Sequence, residues 1–401
     1  MPRVKKLIVT TPQGESGELH HEARYVFNYT TKDPRAEIAL GMPLRAQSYA
    51  SQVLPPILEM NRPEGFLLQR LHEALLKHGG ADDMRLLAAV GGNTIGRVTL
   101  HEPGAASAAQ PAMSLDEILR STPSDKLFDH LLRTYIASGV SGIQPKVLVP
   151  EASRITVPQP TLIVKASGAT PFLTQNEFVC MEAGRKAGIR VPEFSLSSDG
   201  GLFVTKRFDR VQDGDGLRSL GFEDMVVVMG KTTARKYEGS YENIAKAIRL
   251  YGGTNAGESL HRLFEYLALS VMVRNGDAHL KNFGVLYEYP ARSESVTLAP
   301  LYDVVTTTAY DVAPGAAIAD KTLALKLGTD RRFPRRDALL RFGREVCHVS
   351  RPDRVVERIA EGMRAAWREH QGLFTSHFAA RMHAEWEEGL RTTANDGAGL
   401  P

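Results

Sequence analysis

The chain has 401 residues, 43% hydrophobic and 24% charged, a composition that excludes a wholly disordered or fibrous protein and leaves room for two or three domains with sizeable cores. Its net charge of +3 is too small to indicate nucleic-acid binding by itself, although a local basic face is compatible with it. Two cysteines, Cys180 and Cys347, lack metal-ligand spacing and are too few for a disulfide framework, and no apolar run is long enough to span a bilayer. The expectation is a cytoplasmic protein, neither secreted nor membrane-associated.

In chain order, Leu7-Ile8-Val9, a Pro-Gln-Gly turn and Gly17-Glu18-Leu19 predict a hairpin, and Tyr25–Tyr29 a further strand. The apolar spacing of Phe66, Leu67, Leu71, Leu75 and Leu76 predicts a helix, residues 82–87 a second, and Val98-Thr99-Leu100 a return to strand. Residues 103–113 lack large apolar groups over most of their length and read as a linker between residues 1–102 and the remainder of the chain. Ser114-Leu115-Asp116-Glu117 has the form of a capping box opening a helix, and another helix is expected from about Asp125 to Ile136. A small-residue loop, Ser138 to Lys146, then precedes the strand Val147-Leu148-Val149. It suits close approach of backbone amides to a phosphate, and equally an ordinary turn.

Thr161–Lys165 is an apolar strand that ends in a lysine, the placement that kinases use for a phosphate-binding lysine. A buried lysine needs a partner, and the following helix offers Glu177 or Glu182. The strand Leu202–Lys206 runs into Arg207-Phe208-Asp209-Arg210, where an adenine-binding hinge is expected. Helical spacing recurs over 242–251, 259–273 and 336–390, with Trp367 and Trp386 as core or interface anchors.

Between these helices lies Arg274-Asn275-Gly276-Asp277-Ala278-His279-Leu280-Lys281-Asn282-Phe283. Asp277 and Asn282 have the Asp-x-x-x-x-Asn spacing of phosphoryl-transfer loops, in which the Asp takes the acceptor proton and the Asn holds magnesium. Asp303, in Leu301-Tyr302-Asp303-Val304, stands where a second metal-binding carboxylate is expected. The order lysine strand, hinge, Asp-x-x-x-x-Asn loop, late Asp is that of a two-lobed kinase.

These residues resemble the HipA-like serine/threonine kinases, the toxin members of bacterial type II toxin–antitoxin pairs. The resemblance rests on Ser141-Gly142-Ile143-Gln144-Pro145-Lys146, Val164-Lys165, Arg207-Phe208-Asp209-Arg210, 275–283 and Leu301-Tyr302-Asp303, and extends to Gly17-Glu18-Leu19 and 92–98 of an N-terminal subdomain. It implies an α+β fold: bilobal and protein-kinase-like, with an extra N-terminal subdomain (1–102), a β-rich N-lobe (114–210), a helical C-lobe (211–392) and a flexible tail (393–401). It also implies transfer of the γ-phosphate of ATP, with Mg2+, to a Ser or Thr of a protein. In known members that protein is an aminoacyl-tRNA synthetase or another translation component, and the result is growth arrest. By the resemblance Asp277 is the base, Asn282 and Asp303 the metal ligands, and Lys165 the phosphate lysine. Lys206, Arg207 and Phe208 form the hinge, His279 and Tyr302 lie at the nucleotide, and Ser141 to Lys146 cover it. The family's regulatory autophosphorylation serine, three positions before the loop glycine, is Gly139 here, which leaves Ser141 and Ser138 as candidates. A phosphate there adds about two negative charges beside ATP. The implied partner is a small helix-turn-helix, HipB-like antitoxin through which operator DNA is mainly bound, with Arg331, Arg332, Arg335 and Arg336 available for a few phosphate contacts. Two other classes share part of this pattern: a small-molecule phosphotransferase of the aminoglycoside or choline kinase type, and a catalytically silent co-repressor.

Overall fold

The computed structural model describes residues 4–76, 82–105, 111–135, 144–152, 160–214, 216–310, 321–394 and 399–400. The chain forms two compact units. The first comprises Met1–Pro171, Phe194–Thr233 and Val285–Ser295; the second comprises Phe172–Glu193, Ala234–Gly284 and Val296–Pro401. The expected linker at 103–113 falls inside the first unit. The helix Leu173–Lys186, expected in a β-rich lobe, belongs to the second.

The two largest sheets of the chain lie in the first unit. Strands Lys6–Thr11, Gly14–His21, Tyr25–Tyr29, Tyr49–Ser51 and Thr99–His101 form an antiparallel sheet in which Lys6–Thr11 pairs with both Gly14–His21 and Thr99–His101. Alternation decides its faces: Leu7, Val9, Leu19 and Phe27 are buried. The second sheet runs Lys146–Pro150, Pro160–Ala166, Leu202–Lys206, Phe194–Leu196. Val147, Val149, Leu162, Val164, Leu202 and Val204 turn to one face and pack on Phe128, Leu131, Leu132 and Tyr135 of the helix Ser124–Tyr135. Ser114 caps the helix Leu115–Arg120 by accepting from the Glu117 N–H at 3.2 Å, as its sequence predicts.

A buried carboxyl in this unit has a pH signature. Glu223 Oε1 accepts from the Leu40 N–H (2.7 Å) and the Tyr287 hydroxyl (2.6 Å), while its Oε2 is buried without a hydrogen-bond partner. Burial pushes the Glu223 carboxyl up to about 7 from its ordinary 4.5. Between those values the folded state keeps a proton that the unfolded chain releases, so this group's contribution to stability falls as pH rises from 4.5 towards 7. Glu223→Gln cannot ionise. Relative to wild type it should gain about 2 to 3 kcal/mol between pH 5 and pH 8 in urea denaturation. An unchanged difference at the two pH values would refute the assignment.

The second unit is mainly helical, from Leu173–Lys186, Tyr241–Tyr251, Ala256–Met272, Pro352–His370 and Ser376–Thr393, with the short helix Arg336–Arg341. Ala256–Met272 is its centre and is buried along almost its whole length from Ser259 onward. Leu173–Lys186 packs closely on Pro352–His370, and the close approach requires Gly362, where a β-carbon would lie 2.5 Å from the Ala183 carbonyl oxygen. Trp367 and Trp386 are both core residues, with ring centroids 5.8 Å apart. The last helix runs through Thr393, the first residue of the expected tail; 395–398 and 401 lie outside the described residues. No described helix is long and apolar enough to cross a membrane.

Candidate active site

In the second unit, the helix Ala256–Met272 delivers the 274–283 segment. Arg274 turns the chain sharply with a left-handed φ of 60°, held by its guanidinium over the Phe333 ring (3.9 Å) and by Glu385 (3.4 Å). The Asn275 side-chain oxygen accepts from the Asp277 N–H (3.0 Å), and the Gly276 N–H donates to Thr307 Oγ1 (2.7 Å). Tyr241 donates to the Ala278 carbonyl (3.0 Å) from the neighbouring helix. The loop backbone is thus bonded on both flanks, while the Asp277 side chain stands exposed. That is the arrangement a general base needs: accessible carboxylate, fixed support.

Asn282 is built into the same turn. Its Oδ1 accepts from the His279 N–H at 3.0 Å, and its own N–H donates to the His279 carbonyl at 2.9 Å. The Tyr302 hydroxyl donates to the Lys281 carbonyl at 2.8 Å, which ties the 301–303 segment to this turn, and Asp303 itself is left-handed with φ 55°. Behind it, Thr306 exchanges backbone hydrogen bonds with the Asn176 side chain at 2.9 and 3.2 Å and accepts from Trp386 Nε1 at 2.7 Å. A left-handed non-glycine residue costs on the order of 1–3 kcal/mol and persists only where neighbours over-determine it. Asp303 meets that condition.

The donor set suits a hard cation that brings most of its own ligands. Asn282 and Asp303 offer side-chain oxygens, and the described residues contain no group of three or more His, Cys, Asp or Glu able to hold a metal. Magnesium is commonly held by one or two carboxylate or amide oxygens plus water and phosphate oxygens, whereas zinc or calcium sites need fuller protein cages. His279, beside Asn282, is buried, and its Nδ1 has no hydrogen-bond partner. Burial holds its imidazole below the usual value, against the pull of Asp277, which favours the neutral ring.

In the first unit, Lys146 and Lys165 stand directly opposite each other on adjacent antiparallel strands. Their side chains therefore share the sheet face opposite the helix-packed core, and both are buried. Like charges set directly across a strand pair are unfavourable unless oppositely charged groups lie near them. The Phe203 ring, next in register, lies 5.5 Å from the Lys165 ammonium. Gln144 donates to the Ala166 carbonyl at 3.2 Å and Pro145 accepts from the Ala166 N–H at 2.9 Å, which anchors the C-terminal end of the expected covering loop. Ser138, Ser141, Gly142 and Ile143 lie outside the described residues.

Of the expected hinge residues, Arg207 is buried. Its backbone N–H donates to the Thr161 carbonyl at 2.8 Å, and its guanidinium is buried against Asp209 (3.0 Å) and the Thr94 carbonyl (2.7 Å). The Arg207 guanidinium therefore has a packing role. Phe208 is half-buried, 5.6 Å from the Phe222 ring. Of the two acids considered for Lys165, Glu182 is bonded to Arg185 at 2.6 Å, whereas Glu177 is almost wholly buried. The arginines considered for DNA also have internal partners: Arg331 donates to the Tyr237 carbonyl (2.7 Å), Arg332 pairs with Asp330, and Arg336 donates to the Thr393 carbonyl (2.8 Å).

Sequence reading missed Tyr237. Its hydroxyl donates to Asp277 Oδ1 at 2.9 Å, from 40 residues earlier in the chain. No local motif marks it; only the Lys-Tyr-Glu step before the Ser240 cap breaks the otherwise polar turn.

A sheet-rich unit with paired buried lysines, and a helical unit with an Asp-x-x-x-x-Asn loop and a later left-handed Asp, define a kinase-like protein. Residues 138–368 match the model of the HipA-like C-terminal domain, and residues 7–101 that of the HipA N-terminal domain. The chain belongs to the HipA-like family. Two Sinorhizobium fredii (strain NBRC 101917 / NGR234) proteins are similar to it: "Putative kinase Y4mE", 30% identical over 70% of this chain and 71% of that protein, and "Putative kinase Y4dM", 27% identical over 73% and 70%. A solved structure of the Shewanella oneidensis MR-1 toxin–antitoxin system HipA, HipB and its operator DNA shares the fold. Its TM-score is 0.69 at 18% identity, over 95% of this chain and 97% of that one.

Proposed function

We propose that the chain is an ATP-dependent serine/threonine protein kinase of a toxin–antitoxin pair, neutralised by a HipB-like helix-turn-helix protein that carries most of the operator contact. The observation that carries the reading is the exposed Asp277 carboxylate on a loop bonded on both flanks, followed by Asn282 and the left-handed Asp303. Asp277 accepts the proton of the acceptor hydroxyl as its oxygen bonds to the γ-phosphorus and the bond to the β-bridging oxygen breaks, releasing ADP. Asn282 and Asp303 hold Mg2+, which when bound neutralises phosphate charge. Lys146 and Lys165 bind phosphate oxygens, while Lys206 and Phe208 lie at the base.

The test is incubation of the purified chain with γ-labelled ATP and magnesium, alone and with a cytoplasmic extract, followed by mass-spectrometric mapping. Label on Ser138, on Ser141, or on one extract protein such as an aminoacyl-tRNA synthetase supports the reading, and chelation by EDTA should abolish it. Label on small molecules only would replace it with a metabolite kinase. Asp303→Asn separates charge from shape, because Asn tolerates the left-handed backbone that Asp303 adopts. It should weaken Mg·ATP binding about 10-fold or more by calorimetry while leaving the melting temperature nearly unchanged. Unaltered Mg·ATP affinity would remove Asp303 from the metal site.

A further inference from the structure

Tyr237 is an aromatic residue that the core does not use. It is 38% exposed, yet its hydroxyl donates to Asp277 Oδ1 at 2.9 Å. Its ring meets His279 edge-on, with centroids 5.0 Å apart and planes at 75°, and the Lys236 ammonium lies 5.3 Å from the Tyr237 ring centroid. Its backbone is held from two directions: the Lys236 carbonyl accepts from the Leu280 N–H at 3.1 Å, and the Tyr237 carbonyl accepts from Arg331 at 2.7 Å. The capped helix Tyr241–Tyr251 begins four residues later. This much anchoring for a half-exposed ring is not explained by packing, since a phenol at the surface gains little from burial and can bond water instead.

We propose that Tyr237 is the positioning residue of the acceptor site. Its phenol fixes the Asp277 carboxylate by one oxygen, so that the other is presented to the incoming hydroxyl, and its exposed ring is the wall against which the acceptor segment lies. An aspartate carboxylate, two torsions from the loop backbone, rotates unless something holds it, and general-base transfer depends on that orientation. Lys236 and Arg331, the cations flanking the tyrosine, suit an acceptor segment with acidic neighbours. The inference rests on the kinase reading.

The test uses the full chain, wild type beside Asp277→Asn, Tyr237→Phe and Tyr237→Ala, with Mg·ATP and dephosphorylated casein as an acidic acceptor, scoring labelled casein and phosphate released to water. Tyr237→Phe should lower kcat about 10-fold, the size expected for losing a hydrogen bond to a charged group, with KM for ATP and for casein unchanged. Tyr237→Ala should show the same fall in kcat and, in addition, a severalfold rise in KM for casein alone. If wild type transfers phosphate neither to casein nor to water, the kinase reading fails and takes this proposal with it; if it transfers phosphate and Asp277→Asn does so equally, Asp277 is not the base and the positioning role is overturned while the kinase reading stands. If the two proteins differ and Tyr237→Phe matches wild type in kcat, the kinase reading stands and the positioning role is overturned. Equal rises in the KM for ATP and for casein in both tyrosine variants would mark a loosened loop, and overturn it also.

Discussion

Asp277→Asn is expected to lower phosphate transfer by about 10² to 10⁴-fold, the usual contribution of a general base, while changing stability by no more than about 0.5 kcal/mol. The two halves of that expectation come from different features of the loop. The side chain is exposed, and none of the described bonds that shape the turn uses its carboxylate: the turn is made by Asn275 Oδ1 on the Asp277 N–H, by Thr307 on Gly276, and by the Asn282–His279 exchange. Asn keeps a carbonyl oxygen able to accept from Tyr237, so the positioning bond can survive. What is lost is the capacity to take a proton. Equilibrium binding of Mg·ATP should therefore stay within about twofold, and single-turnover transfer should carry nearly all of the effect. A variant that transfers phosphate at the wild-type rate would remove Asp277 from the base role. One that loses ATP binding as strongly as transfer would place it among the nucleotide contacts.

How far the sequence foretells this molecule depends on whether the relevant contact is local. The opening hairpin and the strands at 25–29, 160–166 and 202–206 follow from alternation and turn residues, and the helices at 241–251 and 256–272 from their apolar spacing. The proposal for Asp277, Asn282 and Asp303 draws on residue type and spacing along the chain, which is local information. Tyr237 is not legible in that way, because its partner is 40 residues away and no spacing rule links them. The same holds for Lys146 against Lys165, which only the strand register brings opposite. The unit boundary is hidden for a related reason. Leu173–Lys186 comes after a β-rich stretch in sequence, yet its buried face is matched by Pro352–His370, and complementarity between distant helices is not written in either alone. Arg207-Phe208-Asp209-Arg210 stands out as a motif, and its position suggests a hinge. Its charged members are bonded to one another and to the 94–96 carbonyls.

That motif carries the largest stability effect. Asp209 is buried between two guanidiniums, bonded to Arg207 at 3.0 Å and to Arg210 at 2.9 Å, and also accepts from the Gly96 N–H at 2.7 Å, 113 residues away. Arg207 and Arg210 in turn donate to the carbonyls of Thr94 (2.7 Å) and Gly96 (2.9 Å), so one carboxylate organises the meeting of the 94–97 and 207–210 segments. Arg97 extends the same region by donating to the carbonyls of Glu37 (3.0 Å) and Arg35 (2.8 Å). Burial alone would push the Asp209 carboxyl up, but Arg207 and Arg210 outweigh it and hold it at about 2. Burial likewise lowers Arg210 to about 10, a cation that tolerates its site because of the carboxylate. Asp209→Asn keeps the shape and deletes the charge, leaving two buried guanidiniums facing each other. The expected loss is about 3–5 kcal/mol in urea denaturation of the intact chain at pH 7, since breaking a buried ionic group strands its partners. The sign with pH comes from the depressed value: the carboxylate's contribution is fully present above the ordinary 3.8 and is lost as pH falls through about 2. The gap between wild type and Asp209→Asn should therefore narrow steadily below pH 4. A second substitution, Arg210→Met, removes one stranded cation and should recover part of the loss in the Asn background while costing stability in the wild-type one, an interaction that a double-mutant cycle reads directly. Strict additivity of the two, or a loss below about 1 kcal/mol for Asp209→Asn, would show that water or relaxation solvates these charges and that the cluster is not what joins the two segments.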